Sequence, residues 1–500
     1  MSEGRSSSRV RARRPVTKVL SMVFDDACGR KYLALLRQEG VQLRVLVVRQ
    51  AGRVVFQHSA RPFSPELPHP LYSVTKSFTS CAVGLLVEDG LIDIDRPWIS
   101  WFPEYREFVV DERFLRVSVR NLLTMTLGQD GEPYLVGSDD WVRAVVGKDL
   151  AHEPGEAFFY NSLCSHLLAL LVRRVSGRDE SELLQERLFG PLGCGRWWWE
   201  KDSRGNSVGG FGLHLSTPDL ARFGQCLLDG GVWEGQRVLP ERWVAEATHK
   251  QVETRAAYAP EATEDRNGYG YQFWMCAGGG FRAAGLWGQI CYVLPKEQLV
   301  VAASSSTNGS KSLLDPLYQV LWRTSSDKGA SLADAGAYGF DALPVLEGSA
   351  TAPHAERVLG RHACDENRFG FGSIDLRMVT SADGDRVLRL CLERVGKSHV
   401  LVAGHGWWAP TCAGERGMGE LFPFATESAQ IVERPDDIAH VTYGCYAWMS
   451  PSTLALRSVE LDSTRRCNVV MRLDGNHVLC ELSVTNMLCG TNPTTYYLSF

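Results

Sequence analysis

From Tyr32 to Trp322 the chain interleaves segments of strand-like alternation with segments of helical spacing. Val41 to Val55 is rich in valine and broken at Ala51-Gly52, which predicts two strands joined by a tight turn. Between Ser73 and Glu88, Phe78, Ala82, Leu85 and Leu86 recur at the spacing of one helix face, and Gly90 is a stop signal. Leu163 to Val175 is apolar nearly all round and ends at Gly177, the mark of a buried helix. Pro218 to Leu228 predicts another helix, with Thr217 as its N-cap and proline at its first position. Gln289 to Ser304 is strand-like on both sides of Pro295-Lys296. Helices mixed with a hairpin-rich sheet predict an α/β (α+β) domain.

This pattern stops near Thr324. The stretch to Pro353 is rich in Gly, Ala, Ser, Asp and Pro, as linkers are. Beyond it, short apolar runs recur without a helical period: Val387–Leu392, Ser398–Val402, Thr453–Leu461, Asn468–Leu473 and Val478–Val484. Asp383-Gly384 and Asp474-Gly475-Asn476 stand between such runs as hairpin signals. The predicted organisation is a basic leader (1–15), an α/β domain (16–325), a linker (326–353) and an all-β sandwich or small barrel (354–500).

Composition narrows the function classes. With 44% hydrophobic and 22% charged residues the chain is that of a globular protein, which argues against wholesale disorder. A net charge of −5 gives no reason to expect nucleic acid. Arg5, Arg9, Arg11, Arg13 and Arg14 read as a solubilising tail. No apolar stretch reaches membrane-span length, and the short Val19–Phe24 run meets Asp25-Asp26, unlike a signal peptide. The fourteen cysteines include no C-x-x-C pair, so they read as reduced core residues of a cytoplasmic protein. No metal or other cofactor is expected, and nothing in the sequence specifies an oligomeric state.

The sharpest chemical feature is Ser73-Val-Thr-Lys76 at the start of a helix. A serine hydroxyl is a poor nucleophile without a base. Residues three apart share a helix face, so the Lys76 amine reaches Ser73. Lowered in pKa by burial or a neighbouring cation, it takes a proton; otherwise Lys76 serves as a fixed positive charge. S-x-x-K should occur roughly once by chance in such a chain, and Ser325-Ser-Asp-Lys328 in the polar linker is that chance copy. Tyr160, in Pro154–Ser162 just ahead of the buried helix, is a second candidate whose phenol can move protons. Third is Phe281-Arg-Ala-Ala-Gly285-Leu286-Trp287-Gly288-Gln289, where glycines interrupt a good strand and suggest close approach of another group. His152, His166 and His214 have no metal-ligand spacing, and His166 reads as a core histidine. Trp197-Trp198-Trp199 either walls an apolar pocket or caps the core, while Trp407, Trp408 and Trp448 read as β-domain core.

In this order the three elements resemble those of the serine β-lactamase and penicillin-binding superfamily: S-x-x-K, then Y-x-N, then K-T-G or H-x-G. Val119–Thr126, Gly209–Thr217 and Asp219–Gly224 also resemble its intervening segments, so the likeness covers about residues 30–325. Within it, Gly285 to Gln289 is similar to family VIII carboxylesterases and nylon-oligomer (6-aminohexanoate-dimer) hydrolases. The resemblance implies Ser73 as nucleophile, Lys76 and Tyr160 as proton-transfer pair, and the backbone amides of Ser73 and Leu286 as oxyanion hole. It places Asn161, Ser162, Trp287 and Gln289 near the substrate. The carboxy-terminal region loosely resembles lipocalin-like modules. Two positions depart from the superfamily: Ser162 stands where Y-x-N has asparagine, and Ala283-Ala284 replace the cation and hydroxyl of K-T-G. Those groups would hold a substrate carboxylate, so a small ester or amide lacking one is the expected substrate. The alternatives are a β-lactamase or D-amino-acid-specific peptidase, and a non-catalytic binding or sensor protein on this scaffold.

Overall fold

The structure is a computed structural model that describes residues 23–133, 139–260, 264–307, 311–322, 342–367, 370–381, 383–394, 396–411, 442–460, 466–475, 477–484 and 494–500. The basic leader, the linker residues 326–341, Ser325–Lys328 and Asn476 lie outside those residues.

Two-residue alternation builds the first sheet. In the strand Gln42–Gln50, Val45 and Val47 enter one apolar cluster while Leu46 and Val48 enter another. That is the period of a strand buried on both faces. Its hairpin partner is Arg53–Ser59, and Ala51 and Gly52 turn between them with φ of 48° and 79°. Positive φ at both positions is what a type I′ turn needs. The expected strands around Pro295-Lys296 form as Gln289–Leu294 and Leu299–Ser306. The sheet runs Arg53–Ser59, Gln42–Gln50, Leu299–Ser306, Gln289–Leu294, Phe281–Gly285 and Trp274–Met275, antiparallel throughout.

Helices cover both faces. Asp26–Gln38 and Lys311–Leu321 bring Tyr32, Leu33, Leu36, Leu313, Leu314 and Leu317 onto one side. On the other side lies Thr217–Leu228, with Leu220, Phe223 and Leu227 in the larger core. Its N-cap is Ser216, one residue before the expected Thr217. Ser216 keeps extended backbone, and its Oγ accepts from the Asp219 amide, leaving Thr217 as the first helical residue. Outside this helix, Thr75–Glu88 packs against Ser162–Ser176, the second of which the sequence marked as buried; the first, expected to have one apolar face, is buried all round from Thr75 to Leu86. Phe78 joins them to the sheet layer by stacking on Phe223 at 4.0 Å. His166 lies in this core, its ring against Trp141 and its Nε2 3.3 Å from Asp202. The tryptophan run is also packed rather than pocket-lining: Trp198 stacks on His214, and the buried Trp199 donates to the Val208 carbonyl.

Among the described residues the carboxy-terminal strands form one ten-stranded sheet, from Gly360–Ala363 through Phe371–Thr380 to Thr494–Ser499. It is a meander of antiparallel neighbours apart from one parallel pair, Lys397–His405 with Thr442–Ser450. Alternate residues such as Leu388, Leu390 and Leu392 fill one core, and Val387 and Cys391 face the other way. The unit is joined to the α/β unit by direct packing. Leu343 donates its amide to the Arg61 carbonyl and accepts from Trp408 Nε1 at 2.9 Å. Trp408, Cys445 and Val459 enter the larger core of the α/β unit. Among the described residues no helix is long and apolar enough to cross a membrane.

Candidate active site

Ser73 occupies a single helical turn, Tyr72–Val74, that runs directly into the helix Thr75–Glu88. Tyr72 has φ of 48°, so the chain turns sharply just ahead of the serine. Thr75 Oγ1 accepts the Leu213 amide at 3.1 Å, tying this helix start to the strand Leu213–Leu215. The S-x-x-K spacing does what helical geometry requires, and Lys76 Nζ lies 3.0 Å from Ser73 Oγ.

Lys76 is 1% exposed. Its Nζ also lies 3.2 Å from Ser162 Oγ and 2.7 Å from the Gly210 carbonyl. The carbonyl can only accept, whereas both hydroxyls can donate or accept. The three partners suit an ammonium that donates to all of them, and equally a neutral amine that donates to Gly210 and Ser162 and accepts from Ser73. Burial lowers the Lys76 pKa to about 7, with Glu132 and Cys164 pulling weakly the other way.

Tyr160 precedes the helix Ser162–Ser176. Its hydroxyl hydrogen-bonds Ser73, and Lys76 Nζ stands 4.8 Å from its ring centre. Burial raises the phenol well above the usual tyrosine range, and the Ser73 contact offsets only part of this. Tyr160 thus holds its proton while Lys76 is poised to gain one. Ser162, standing where the superfamily motif has asparagine, does meet Lys76. Asn161 is buried as the N-cap of its helix, its Oδ1 accepting from the Leu163 amide at 2.9 Å.

The third element lies against the first. A Cβ on Gly285 would sit 2.1 Å from the Leu71 carbonyl oxygen, the close approach expected from its glycine. Leu286–Gly288 forms a tight turn with Trp287 at φ 69°, a conformation uncommon for so bulky a residue. The Trp287 carbonyl is held by the Thr307 amide at 3.0 Å and by Ser305 Oγ at 2.9 Å. Gln289 is buried beneath the turn, where its Nε2 donates to the Ser305 carbonyl at 2.8 Å. It braces the turn from below instead of facing the cleft. Leu286 and Phe159 are the exposed apolar side chains nearest these motifs in sequence.

Two participants carried no sequence signal as single residues. The Gly210 carbonyl belongs to a phrase noted only for its family likeness, and the Glu132 carboxylate accepts the Ser162 amide from a distant segment. Among the described residues no cluster of three or more His, Cys, Asp or Glu could hold a metal ion.

The Beta-lactamase family profile matches residues 33–321, so the chain belongs to the β-lactamase family and is a serine hydrolase of that fold. It is 27% identical over 331 residues to the 6-aminohexanoate-dimer hydrolase of Paenarthrobacter ureafaciens, covering 60% of this chain and 82% of that one. Esterase EstB of Burkholderia gladioli is 27% identical over 203 residues, which span 35% of this chain and half of the esterase. A penicillin-binding protein homologue from Caulobacter crescentus shares the fold, with a TM-score of 0.50 at 18% identity over 59% of this chain and 98% of that one.

Proposed function

We propose that this chain hydrolyses small, uncharged esters or amides through an acyl-enzyme on Ser73. The observation that carries the reading is the buried Lys76 amine, with a pKa near 7, 3.0 Å from the Ser73 hydroxyl. Neutral Lys76 takes the Ser73 proton as Oγ adds to the substrate carbonyl. The carbonyl electron pair moves onto oxygen, where the amides of Ser73 and Leu286 receive it. The contact between Gly285 and Leu71 supports this pairing. Collapse breaks the bond to the leaving group, which takes the Tyr160 proton, and Lys76 resupplies the phenol. Water then adds to the acyl-enzyme by the same steps in reverse, releasing the acid and free Ser73.

Ala283 and Ala284 offer no cation or hydroxyl for a substrate carboxylate. With exposed Leu286 and Phe159 nearby, this favours a neutral apolar acyl group over a β-lactam or D-amino-acid peptide. The poised Ser73–Lys76 pair argues against a binding-only role. The twelve described cysteines are free thiols, which accords with a cytoplasmic site of action. Phe371 and Leu498, near opposite ends of the carboxy-terminal sheet, share one core, and the Asp365 amide donates to the Ser499 carbonyl. Both support a lipocalin-like curl.

The test is acid-quenched intact mass spectrometry during 4-nitrophenyl butyrate turnover. A butyryl adduct on the Ser73 peptide is expected, with none after millimolar penicillin. Turnover by folded Ser73→Ala protein would overturn the reading.

A further inference from the structure

The proton-transfer tyrosine stands on a loop, so something other than helix geometry must aim it. Catalytic groups need placement within about half an ångström, held by residues that are themselves locked. The Tyr160 ring stacks on Trp274 with centres 5.4 Å apart and planes 23° apart. Tyr269 meets it edge-on at 6.3 Å. Trp274 is in turn immobilised from several sides. Phe158, Tyr258 and Tyr269 meet it at 5.8, 5.7 and 4.9 Å, all at steep angles. Its cross-strand partner is Arg282, whose guanidinium carbon lies 5.5 Å from the indole centre.

Arg282 is itself fully buried. It is fastened by the Asp265 carboxylate, by Cys276 Sγ at 3.1 Å and by the Met275 carbonyl at 3.3 Å. A cation over an indole face is attracted by the ring quadrupole, and more so when water is excluded. The arrangement runs from the short helix Glu264–Arg266 to the nucleophile: Asp265, Arg282, Trp274, Tyr160, Ser73.

We propose that Trp274, anchored by the buried Arg282, is a positioning residue that aims the Tyr160 hydroxyl at Ser73. The inference rests on the acyl-enzyme reading above. It assigns Trp274 an effect on the chemical step and none on substrate affinity. A misplacement of about 1 Å in a reacting group can lower the rate about a hundredfold.

The experiment measures kcat and KM for 4-nitrophenyl butyrate with the full chain and with Trp274→Phe, Trp274→Leu, Tyr160→Phe and both Trp274 changes combined with Tyr160→Phe. Thermal unfolding checks each protein. Trp274→Leu should lower kcat about a hundredfold with KM within about twofold, and Trp274→Phe should regain most of that loss but still fall about fivefold below the unsubstituted protein. In the Tyr160→Phe background neither Trp274 change should matter further, because no hydroxyl remains to aim. A merely structural tryptophan would give additive losses. Trp274→Leu with kcat within about twofold of the unsubstituted protein, a loss confined to KM, or additive losses would each overturn the proposal. Should Trp274→Leu fail to fold, Trp274→Phe decides: a kcat loss that vanishes with Tyr160→Phe supports it, and an unchanged kcat overturns it. An unsubstituted protein that neither turns over the ester nor forms the Ser73 adduct would instead overturn the hydrolase reading, and the positioning role with it.

Discussion

Two buried cations flank the same pair of aromatic rings and have opposite fates. Lys76 faces Tyr160, and Arg282 faces Trp274. Around Lys76 the hydrogen-bond partners are two hydroxyls and a carbonyl, and burial drives its pKa down to about 7. Burial also pulls Arg282 down, but the Cys276 sulfur and the Asp265 and Glu264 carboxylates outweigh it, and the guanidinium stands above its usual value. Burial alone therefore does not decide a cation's role. On the proposed reading, neutral hydrogen-bond partners suit Lys76 to accept a proton, and anionic partners keep Arg282 a permanent charge suited to anchoring.

The widest separation should come from removing each cation. Lys76→Met should lower kcat about a thousandfold or more, yet stabilise the fold near neutrality. A lysine whose folded pKa lies below its unfolded value of 10.5 binds fewer protons when folded. Its penalty is full below about pH 7, shrinks between about pH 7 and 10.5, and is absent above. At about 1.4 kcal/mol per unit that penalty is on the order of 4–5 kcal/mol, less 1–3 kcal/mol for the carbonyl left unpaired. Urea titrations should thus show Lys76→Met more stable by about 2 kcal/mol at pH 6, with the gain lost by about pH 10. Arg282→Met should do the reverse: it leaves Asp265 and Glu264 without their cation and should cost about 3 kcal/mol of stability at pH 7. Its kcat should fall only about tenfold, since Trp274 keeps its other ring contacts and so still aims Tyr160 in part. Equal stability changes of the same sign would break the comparison. The smallest effect belongs to Ser162→Ala, which removes one neutral hydrogen bond worth about 1 kcal/mol from Lys76. It should change kcat/KM about fivefold and leave the unfolding midpoint nearly unmoved, as ester assays and melting curves would report.

The sequence exposed the parts of this site that depend on local spacing. Ser73 and Lys76 are one helical turn apart, and that distance in sequence is their distance in space. The strand pairs at Ala51-Gly52 and Pro295-Lys296, and the helices ended by Gly90 and Gly177, were legible for the same reason. What stayed hidden depends on long-range packing. Nothing near Arg282 in the sequence announces Trp274, which the strand register sets opposite it, or Asp265, which reaches it from the short helix Glu264–Arg266. Gln289 looked like a cleft residue, but its amide lies among carbonyls at the sheet's end, and those bonds turn it inward. The Ser216 cap was missed because Ser and Thr stand side by side, and only backbone geometry shows which lies outside the helix.

The central claim, that buried Lys76 activates Ser73, is tested most directly by the rate of Ser73 labelling with a fluorophosphonate probe as a function of pH. Modification is mapped to its peptide and compared with Ser73→Ala and Lys76→Met. The account predicts labelling confined to Ser73, rising as pH passes through about 7 where Lys76 loses its proton, and nearly absent in both variants. Labelling that is flat from pH 5 to about 9, or that persists in folded Lys76→Met protein, would contradict it.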